Sequence, residues 1–449
     1  MRLKRREFLG LIAGGAALLP RATSGRIAAG YVRSSRPNIV FILADDLGWG
    51  DLSCYGRPDY RTPHIDRLAI QGTRFTDAYS ASSVCTPTRC AFITGRYPAR
   101  LKIGLIEPLP VNNHLVGLDP DHPTIASLLR GSGYETALIG KWHLGFRPEW
   151  GPNAHGFKEF FGVLAGAADY HLHKNGLGAP DLYENLTPVE RHGYLTDLFT
   201  DRAVNYIRRR RTAPFYLSLH YTAPHWPWQD RQGGERVVFT DKTIEPVTMG
   251  GGGSLRLYAE MMRSLDQGVG RVMRALQVAG LDKNTLVIFT SDNGGERFSY
   301  QWPFSGAKGD LLEGGIRVPA MLRWPGVIGA NRVTHQMAIT MDWTATILAA
   351  AETKPAPDYP LDGINILPLL QETRHADRTF FWRIYDQDAV RQGKWKYVRN
   401  GARSHLFDLS VDQREQANFS EKNPELFARL AAEFQKWDRE MLPRLKERT

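Results

Sequence analysis

Ile39-Val-Phe-Ile-Leu-Ala44 runs straight into Asp45-Asp46, and the reading of this junction decides the fold. An unbroken apolar run, with no polar residue at alternate positions, suits a strand covered on both faces, as in a parallel sheet between helices. Working outward, three further runs have the same texture: residues 136–139, 215–219 and 286–290. Helical patterns lie between them. In the stretch 255–279, Leu257, Met261, Leu265, Val269, Val272 and Leu276 recur at spacings of three and four, which predicts an amphipathic helix stopping at Gly280. Thr124 is placed to cap a second helix over residues 125–130, ending at Gly131. Strands alternating with helices predict an α/β fold built on a large, mostly parallel sheet flanked by helices. From about residue 375 the texture changes. Short aromatic and β-branched runs at 379–384, 395–399 and 405–409 precede a helical stretch at 424–442, which predicts a small C-terminal antiparallel sheet with a helix.

Sites in such sheets form beyond the carboxyl ends of the strands. Here the four runs lead into Asp45-Asp46, Lys141-Trp142-His143, the segment ending at His225, and Asp292-Asn293. Each pair of Asp or Asn residues alone is ordinary turn chemistry. Four polar clusters at four strand ends read as one site. Asp45, Asp46, Asp292 and Asn293 offer only oxygen, and hard oxygen donors select Ca²⁺ or Mg²⁺ over zinc.

Composition narrows the partners. The chain has 449 residues with 42% hydrophobic and 23% charged, ordinary globular values that exclude a disordered or collagen-like polymer. Three cysteines are too few for a disulfide framework, and their spacing suits no zinc knuckle. Of the formal charge of +10, residues 1–36 carry +7 and the remainder only +3, so the basic balance belongs to the leader and nucleic-acid binding is disfavoured. The run 208–211 reads as a solvated helix end. Lys4-Arg5-Arg6-Glu7-Phe8-Leu9 followed by the apolar run to Leu19 is too short to span a bilayer and suits an export signal. Its paired arginines resemble a twin-arginine signal, which places a leader at residues 1–29 and predicts a periplasmic or secreted bacterial protein without a stable membrane anchor. The domain limits expected are 37–374 for the larger part, which holds the strand-end site, and 375–449 for the smaller part.

Cys85-Thr86-Pro87-Thr88-Arg89 carries the chemistry. Proline near a first turn suits a helix start, which puts Cys85 at the positive end of the helix dipole, where anions bind readily. The plainer alternatives are a buried structural thiol, or a disulfide with Cys54 or Cys90. Read with Thr94-Gly95-Arg96, the segment resembles the signature of type I sulfatases of the alkaline phosphatase superfamily, in which this cysteine is oxidised to formylglycine. The resemblance extends from residue 37 over nearly the whole chain. Asp45-Asp46-Leu-Gly-Trp-Gly-Asp51 and Ser291-Asp292-Asn293-Gly294 resemble the family's two metal segments. Gly140-Lys141-Trp142-His143-Leu144-Gly145 is similar to its lysine–histidine segment, Pro224-His225-Trp226-Pro227 to its substrate-side histidine element, and Lys308 with Glu313-Gly314-Gly315-Ile316-Arg317 to its last active-site lysine segment. Residues 145–161 resemble N-acetylgalactosamine-sulfate sulfatases and other arylsulfatase-like members.

The resemblance implies an alkaline phosphatase-like fold and hydrolysis of sulfate monoesters, sulfated glycans above all and aryl sulfates as well. It implies Ca²⁺, with Mg²⁺ compatible with the same ligands, held by Asp45, Asp46, Asp292, Asn293 and the modified Cys85. A formylglycine-generating maturation enzyme and the twin-arginine export machinery are the implied partners. A hydrated aldehyde carries two hydroxyls on one carbon: one attacks sulfur, and deprotonation of the other expels sulfate by breaking C–O. In that scheme Arg89 and Lys141 neutralise charge around the hydrate, and Lys308 does so around the sulfate and leaving oxygen. His143 is the base, and His225 with Lys308 is the acid at the leaving group. Rival readings are a phosphonate or phosphate monoester hydrolase of the same superfamily and a non-catalytic, calcium-stabilised periplasmic sugar binder. His220 is expected to be structural. His155, His171 and His173 are expected to be loop histidines or substrate contacts, and Trp226 and Trp228 a sugar platform or packing. Cys54 and Cys90 are expected to be small buried side chains.

Overall fold

The computed structural model describes residues 36–233, 252–371 and 376–445. At its centre five parallel strands lie side by side in the order Thr285–Ser291, Asn38–Asp45, Phe215–Pro224, Glu135–Lys141 and Glu159–Val163. Short strands, several of them antiparallel, extend both edges to a ten-stranded sheet, beginning with Ala320–Arg323 against Thr285–Ser291 and Tyr183–Glu184 against Glu159–Val163. The continuous apolar run at residues 39–44 has the expected cause. Val40, Ile42 and Ala44 face a core shared with the helices Pro63–Ile70, Leu195–Arg208 and Leu255–Val278. Ile39, Phe41 and Leu43 face a second core with the helices Cys85–Thr94, Ile125–Gly131 and Thr340–Ala350. Each face therefore buries alternate residues, and both must be apolar.

All four expected runs are central strands. Glu159–Val163 was not foreseen, because its short, glycine-containing sequence carries no clear pattern. The long helix spans Leu255–Val278, with Ala279 as its cap and Gly280 at φ +69°, and Ser254 accepts the Leu257 N–H at its start. Thr124 caps its helix through a box with Ser127. The helix ends at Gly131, one residue beyond the expected Arg130, and the left-handed turn falls on Gly133 at φ +87° instead of Gly131. The helix Leu195–Arg208 ends in the arginine run, with residues 208–210 exposed.

The C-terminal sheet is a four-stranded antiparallel meander, Thr379–Ile384, Gln387–Gln392, Trp395–Asn400 and Arg403–Asp408, followed by the helix Pro424–Arg439. Its second strand was missed because Gln387-Asp-Ala-Val-Arg-Gln392 reads as polar. That strand is buried by its neighbours' side chains and by ion pairs, so its polar residues face protein instead of water. The described residues form one compact unit. The expected domain limit at 374/375 and the leader at 1–29 both lie outside the described residues. Among the described residues, no helix is long and apolar enough to cross a membrane.

Candidate active site

The central strands all end along one edge, where the chain must leave the sheet, and several backbones there are left-handed. Asp46 has φ 59° and His143 φ 58°, uncommon values for residues with side chains. The Asp46 N–H donates to Asp292 Oδ1 at 3.1 Å and the Leu47 N–H to Ser291 Oγ at 3.0 Å, which hold the first turn against the neighbouring strand end. Gly140 has φ 117°, and a Cβ there would lie 1.8 Å from the His220 carbonyl oxygen. Only glycine lets the strand turn in this way just before Lys141.

Cys85 is the first residue of its helix, preceded by the extended cap Val84, and the helix ends at Gly95 with φ 71°. All ten helical residues are buried. Phe92 stacks on Phe41 with ring centroids 3.8 Å apart, which pins the helix to the first strand. Arg89 lies one turn beyond Cys85, so the two share a face. Its Nε and Nη2 donate to Asp292 Oδ2 at 3.0 and 2.8 Å, and Nη1 donates to the Lys141 carbonyl at 3.1 Å. Lys141 Nζ donates to Asp45 Oδ2 at 2.6 Å, and Lys308 Nζ to Asp46 Oδ2 at 2.8 Å. Asn293 Nδ2 donates to Asp46 Oδ1 at 2.7 Å. Asp45, Asp46 and Asp292 thus face three fixed cations, and Glu296 adds a fourth carboxylate 3.1 Å from Lys308; only Lys308 and Glu296 are slightly open.

The four strand-end clusters converge as expected. Donor atoms of Asp45, Asp46, Cys85 and His225 all lie within 4.8 Å of one another. Asp45 Oδ1 and Asn293 Oδ1 are buried without a hydrogen-bond donor, and a hard cation would satisfy both. The residues present therefore fit an oxygen-bound divalent ion. His225 was not counted among the donors from sequence. Its Nδ1 donates to the Trp226 carbonyl at 2.5 Å, which leaves the Nε2 lone pair 3.5 Å from Asp46 Oδ2.

Burial dominates the electrostatics. It pushes Asp292 up to about 6, with Asp45 adding to the rise and Arg89 opposing it. It pushes the Cys85 thiol up to about 11 despite Lys141 and Lys308. An unmodified Cys85 is therefore a neutral thiol near pH 7, a poor nucleophile. His143 and His225 are both held well below the ordinary imidazole value, chiefly by burial, with Lys141 adding to the effect. Lys308 is held well above its ordinary value by Asp46, the nearest carboxylate. His143 Nε2 donates to the Leu109 carbonyl at 2.8 Å, so the free lone pair is on Nδ1, which is buried without a partner.

His220 serves the frame: Nδ1 bonds the Lys141 carbonyl at 3.1 Å and Nε2 bonds Ser218 Oγ at 2.8 Å. His155 is buried against Trp142, while His171 and His173 bond the carbonyls of Asp230 and Gly193. Trp228 is buried edge-on against Phe298, and Trp226 is half-buried beside His225. All three cysteines are free. Cys90 is buried as expected, but Cys54 is only half-buried, because its short helical turn lies near the surface. Asp51 has a supporting role that sequence reasoning did not assign. It accepts from the Gly48 N–H at 2.7 Å, Tyr258 Oη at 2.7 Å and the Tyr300 N–H at 2.8 Å, and pairs with Arg57 at 2.7 Å. Two of its partners, Tyr258 and Tyr300, lie more than two hundred residues away, and no local signal marks that part of its role.

The Sulfatase family profile matches residues 37–353, and the N-sulphoglucosamine sulphohydrolase C-terminal profile matches residues 307–440. N-acetylgalactosamine-6-sulfatase of Rattus norvegicus is 35% identical over 407 residues, covering 84% of this chain and 74% of the relative. Arylsulfatase A of Homo sapiens is 36% identical over 424 residues, covering 84% and 77%. The solved structure of Ps i-CgsB in complex with k-i-k-neocarrahexaose superposes with a TM-score of 0.81 at 32% identity, covering 90% of this chain and 93% of that one.

Proposed function

The chain belongs to the sulfatase family and hydrolyses sulfate esters, and we propose that its nucleophile is Cys85 matured to formylglycine. The observation that carries this reading is the placement of Cys85 at a buried helix start, with its Sγ within 4.8 Å of donor atoms from Asp45, Asp46 and His225. Asp45, Asp46, Asp292 and Asn293, together with the matured Cys85, would hold Ca²⁺, a choice that rests on the all-oxygen set and leaves Mg²⁺ compatible with it. Such an ion acidifies a hydroxyl at Cys85 and polarises a sulfate oxygen. With Glu296, which also pairs with Lys308 at 3.1 Å, four carboxylates face three cations, and a bound dication turns this deficit into net positive charge for an anionic ester.

Arg89 and Lys141 hold the carboxylates in register and set the positive field beside Cys85. His143 Nδ1 takes a proton from the matured side chain, and Nε2 stays fixed on Leu109. His225 and Lys308 face the leaving oxygen. Burial keeps His225 neutral at rest, and the negative charge of an incoming sulfate raises its proton affinity, which suits it to protonate the departing alkoxide.

The substrates proposed are sulfated glycans, with small aryl sulfates also turned over. Support comes from relatives named for a sulfated amino sugar and for aryl sulfates, and from the carbohydrate in the solved neighbour. A phosphonate or phosphate monoester hydrolase is not favoured, since relatives sharing a third of their residues over most of this chain are sulfatases. Maturation calls for a formylglycine-generating enzyme. The basic, apolar leader supports export by the twin-arginine route to the periplasm, with a catalytic part at 37–374 and a smaller part at 375–449.

The test is Cys85→Ala. Sulfate release from an aryl sulfate should fall below detection while the thermal midpoint stays near that of the parent. Turnover surviving in the variant would remove the assignment.

A further inference from the structure

The first hairpin of the C-terminal sheet joins Thr379–Ile384 to Gln387–Gln392, and two of its residues reach two different loops of the active site. Tyr385, itself left-handed at φ 49°, donates its N–H to Glu107 Oε2 at 2.7 Å and its hydroxyl to the Glu107 carbonyl at 2.6 Å. Two residues further on, the Leu109 carbonyl accepts from His143 Nε2, and the Leu109 N–H donates at 3.0 Å to Thr86 Oγ1, next to Cys85. Gln387 uses both ends of its amide on the other loop. Its Nε2 donates to the Gly309 carbonyl at 3.0 Å, and its Oε1 accepts from the Leu311 N–H at 3.0 Å. Gly309 directly follows Lys308, and its own N–H donates at 2.9 Å to the carbonyl of Ser83, two residues before Cys85.

The hairpin is braced in turn. Arg444 donates to the Tyr385 carbonyl at 2.6 Å and pairs with Asp388, which also holds Arg399 at 2.5 Å. On the neighbouring strand, fully buried Lys396 sits between Glu313 at 2.9 Å and Glu415 at 2.8 Å, just beyond the Lys308 loop. A buried amide satisfied at both ends fixes its partners tightly, because losing it leaves a backbone N–H and a carbonyl unpaired.

We infer that the C-terminal sheet is a positioning scaffold for the reaction, in which Tyr385 sets His143 through residues 107–109 and Gln387 sets Lys308 through Gly309. The inference rests on the roles proposed above for His143 and Lys308. Tyr385 and Gln387 are positioning residues, since each acts through another group. Their signatures differ. Lys308 acts up to departure of the alcohol, which kcat/KM reports; His143 acts after it, so its displacement lowers kcat and KM together and spares kcat/KM.

The experiment uses the full-length protein with matured Cys85, a nitrophenyl sulfate as substrate and inorganic sulfate as inhibitor. Gln387→Ala is expected to lower kcat/KM roughly tenfold or more, the scale of a small misplacement, and to weaken sulfate inhibition. In a Lys308→Ala background the same change should add less than about twofold, because the group it positions is gone. Tyr385→Phe is expected to lower kcat and KM by a common factor and leave sulfate inhibition unchanged. Thermal midpoints of both variants should stay near the parent's. Equal losses of every kinetic constant in both variants, or a Gln387→Ala effect undiminished without Lys308, would overturn the scaffold role. A Lys308→Ala variant as active as the parent would overturn it through the reading it rests on, whereas an unaffected Gln387→Ala with a large loss in Lys308→Ala would overturn it alone.

Discussion

Arg89 bonds Asp292 through two nitrogens and the Lys141 carbonyl through a third, so one buried guanidinium ties the cysteine helix to two strand ends. Such planar, multidentate contacts are beyond lysine. At this scale the sequence was highly legible for the residues proposed to do the chemistry. Asp45, Asp46, Cys85, Lys141, His143, His225, Asp292, Asn293 and Lys308 all sit in recognisable short segments, and they converge. It was less legible for residues that act through their neighbours. Asp51, Thr86 and Gln387 find partners far away in the chain, and a side chain's use of both its polar ends has no local signature. The histidine roles lead to a kinetic prediction. His225→Ala should reduce turnover of alkyl sulfates, with basic leaving oxygens, at least tenfold more than turnover of activated aryl sulfates, in keeping with the 10²–10⁴-fold scale of acid–base assistance. A leaving-group series measures this, and equal losses across it would confine His225 to sulfate binding.

Among elements, the decisive contact is between the first strand and the cysteine helix. Phe41 and Phe92 stack face to face, and Phe41 also meets the ring of His220 edge-on. Phe41→Ala should cost about 3–5 kcal/mol, the range for truncating a buried aromatic. It should also lower turnover by loosening the helix that presents Cys85. Chemical denaturation with parallel kinetics checks both, and a loss below about 1 kcal/mol would mean that the core collapses around the gap. The strands that were legible in sequence are those buried on both faces, where apolarity is obligatory. Glu159–Val163 was missed because glycine thins its pattern, and Gln387–Gln392 because its buried residues are polar and satisfied by ion pairs and amides. The helix end at Gly131 was legible to within a residue, but the left-handed turn was not, since Ser132 still donates to the Leu128 carbonyl and the turn waits for Gly133.

For the whole molecule, buried acids make stability depend on pH. Asp266, on the long helix, accepts from the His64 and Ile65 N–H groups at 3.0 and 2.8 Å and so caps the helix Pro63–Ile70. Burial still raises it to about 6, against 3.8 when free. With the folded value above the unfolded one, its contribution is fully present below about pH 4 and is lost as the pH rises through about 6. Asp266→Asn keeps an acceptor and cannot ionise. Relative to the parent it should gain stability between pH 4 and 6, by on the order of 1 kcal/mol, and hold that gain at pH 8. Denaturant midpoints at the two ends of the range measure the difference, and a pH-independent difference would contradict the assignment. The architecture as a whole, parallel sheet, strand-end site and C-terminal sheet with its helix, was legible because it follows from periodicity and punctuation. The ties between the C-terminal sheet and the active-site loops were not, since they depend on contacts between residues 76 to 278 positions apart.

The central claim concerns Cys85, and the most direct measurement is the mass of the tryptic peptide 75–89 from protein made in its native host. The account predicts the mass of an aldehyde in place of the thiol at position 85. An unmodified thiol in protein that turns over a sulfate ester would contradict it.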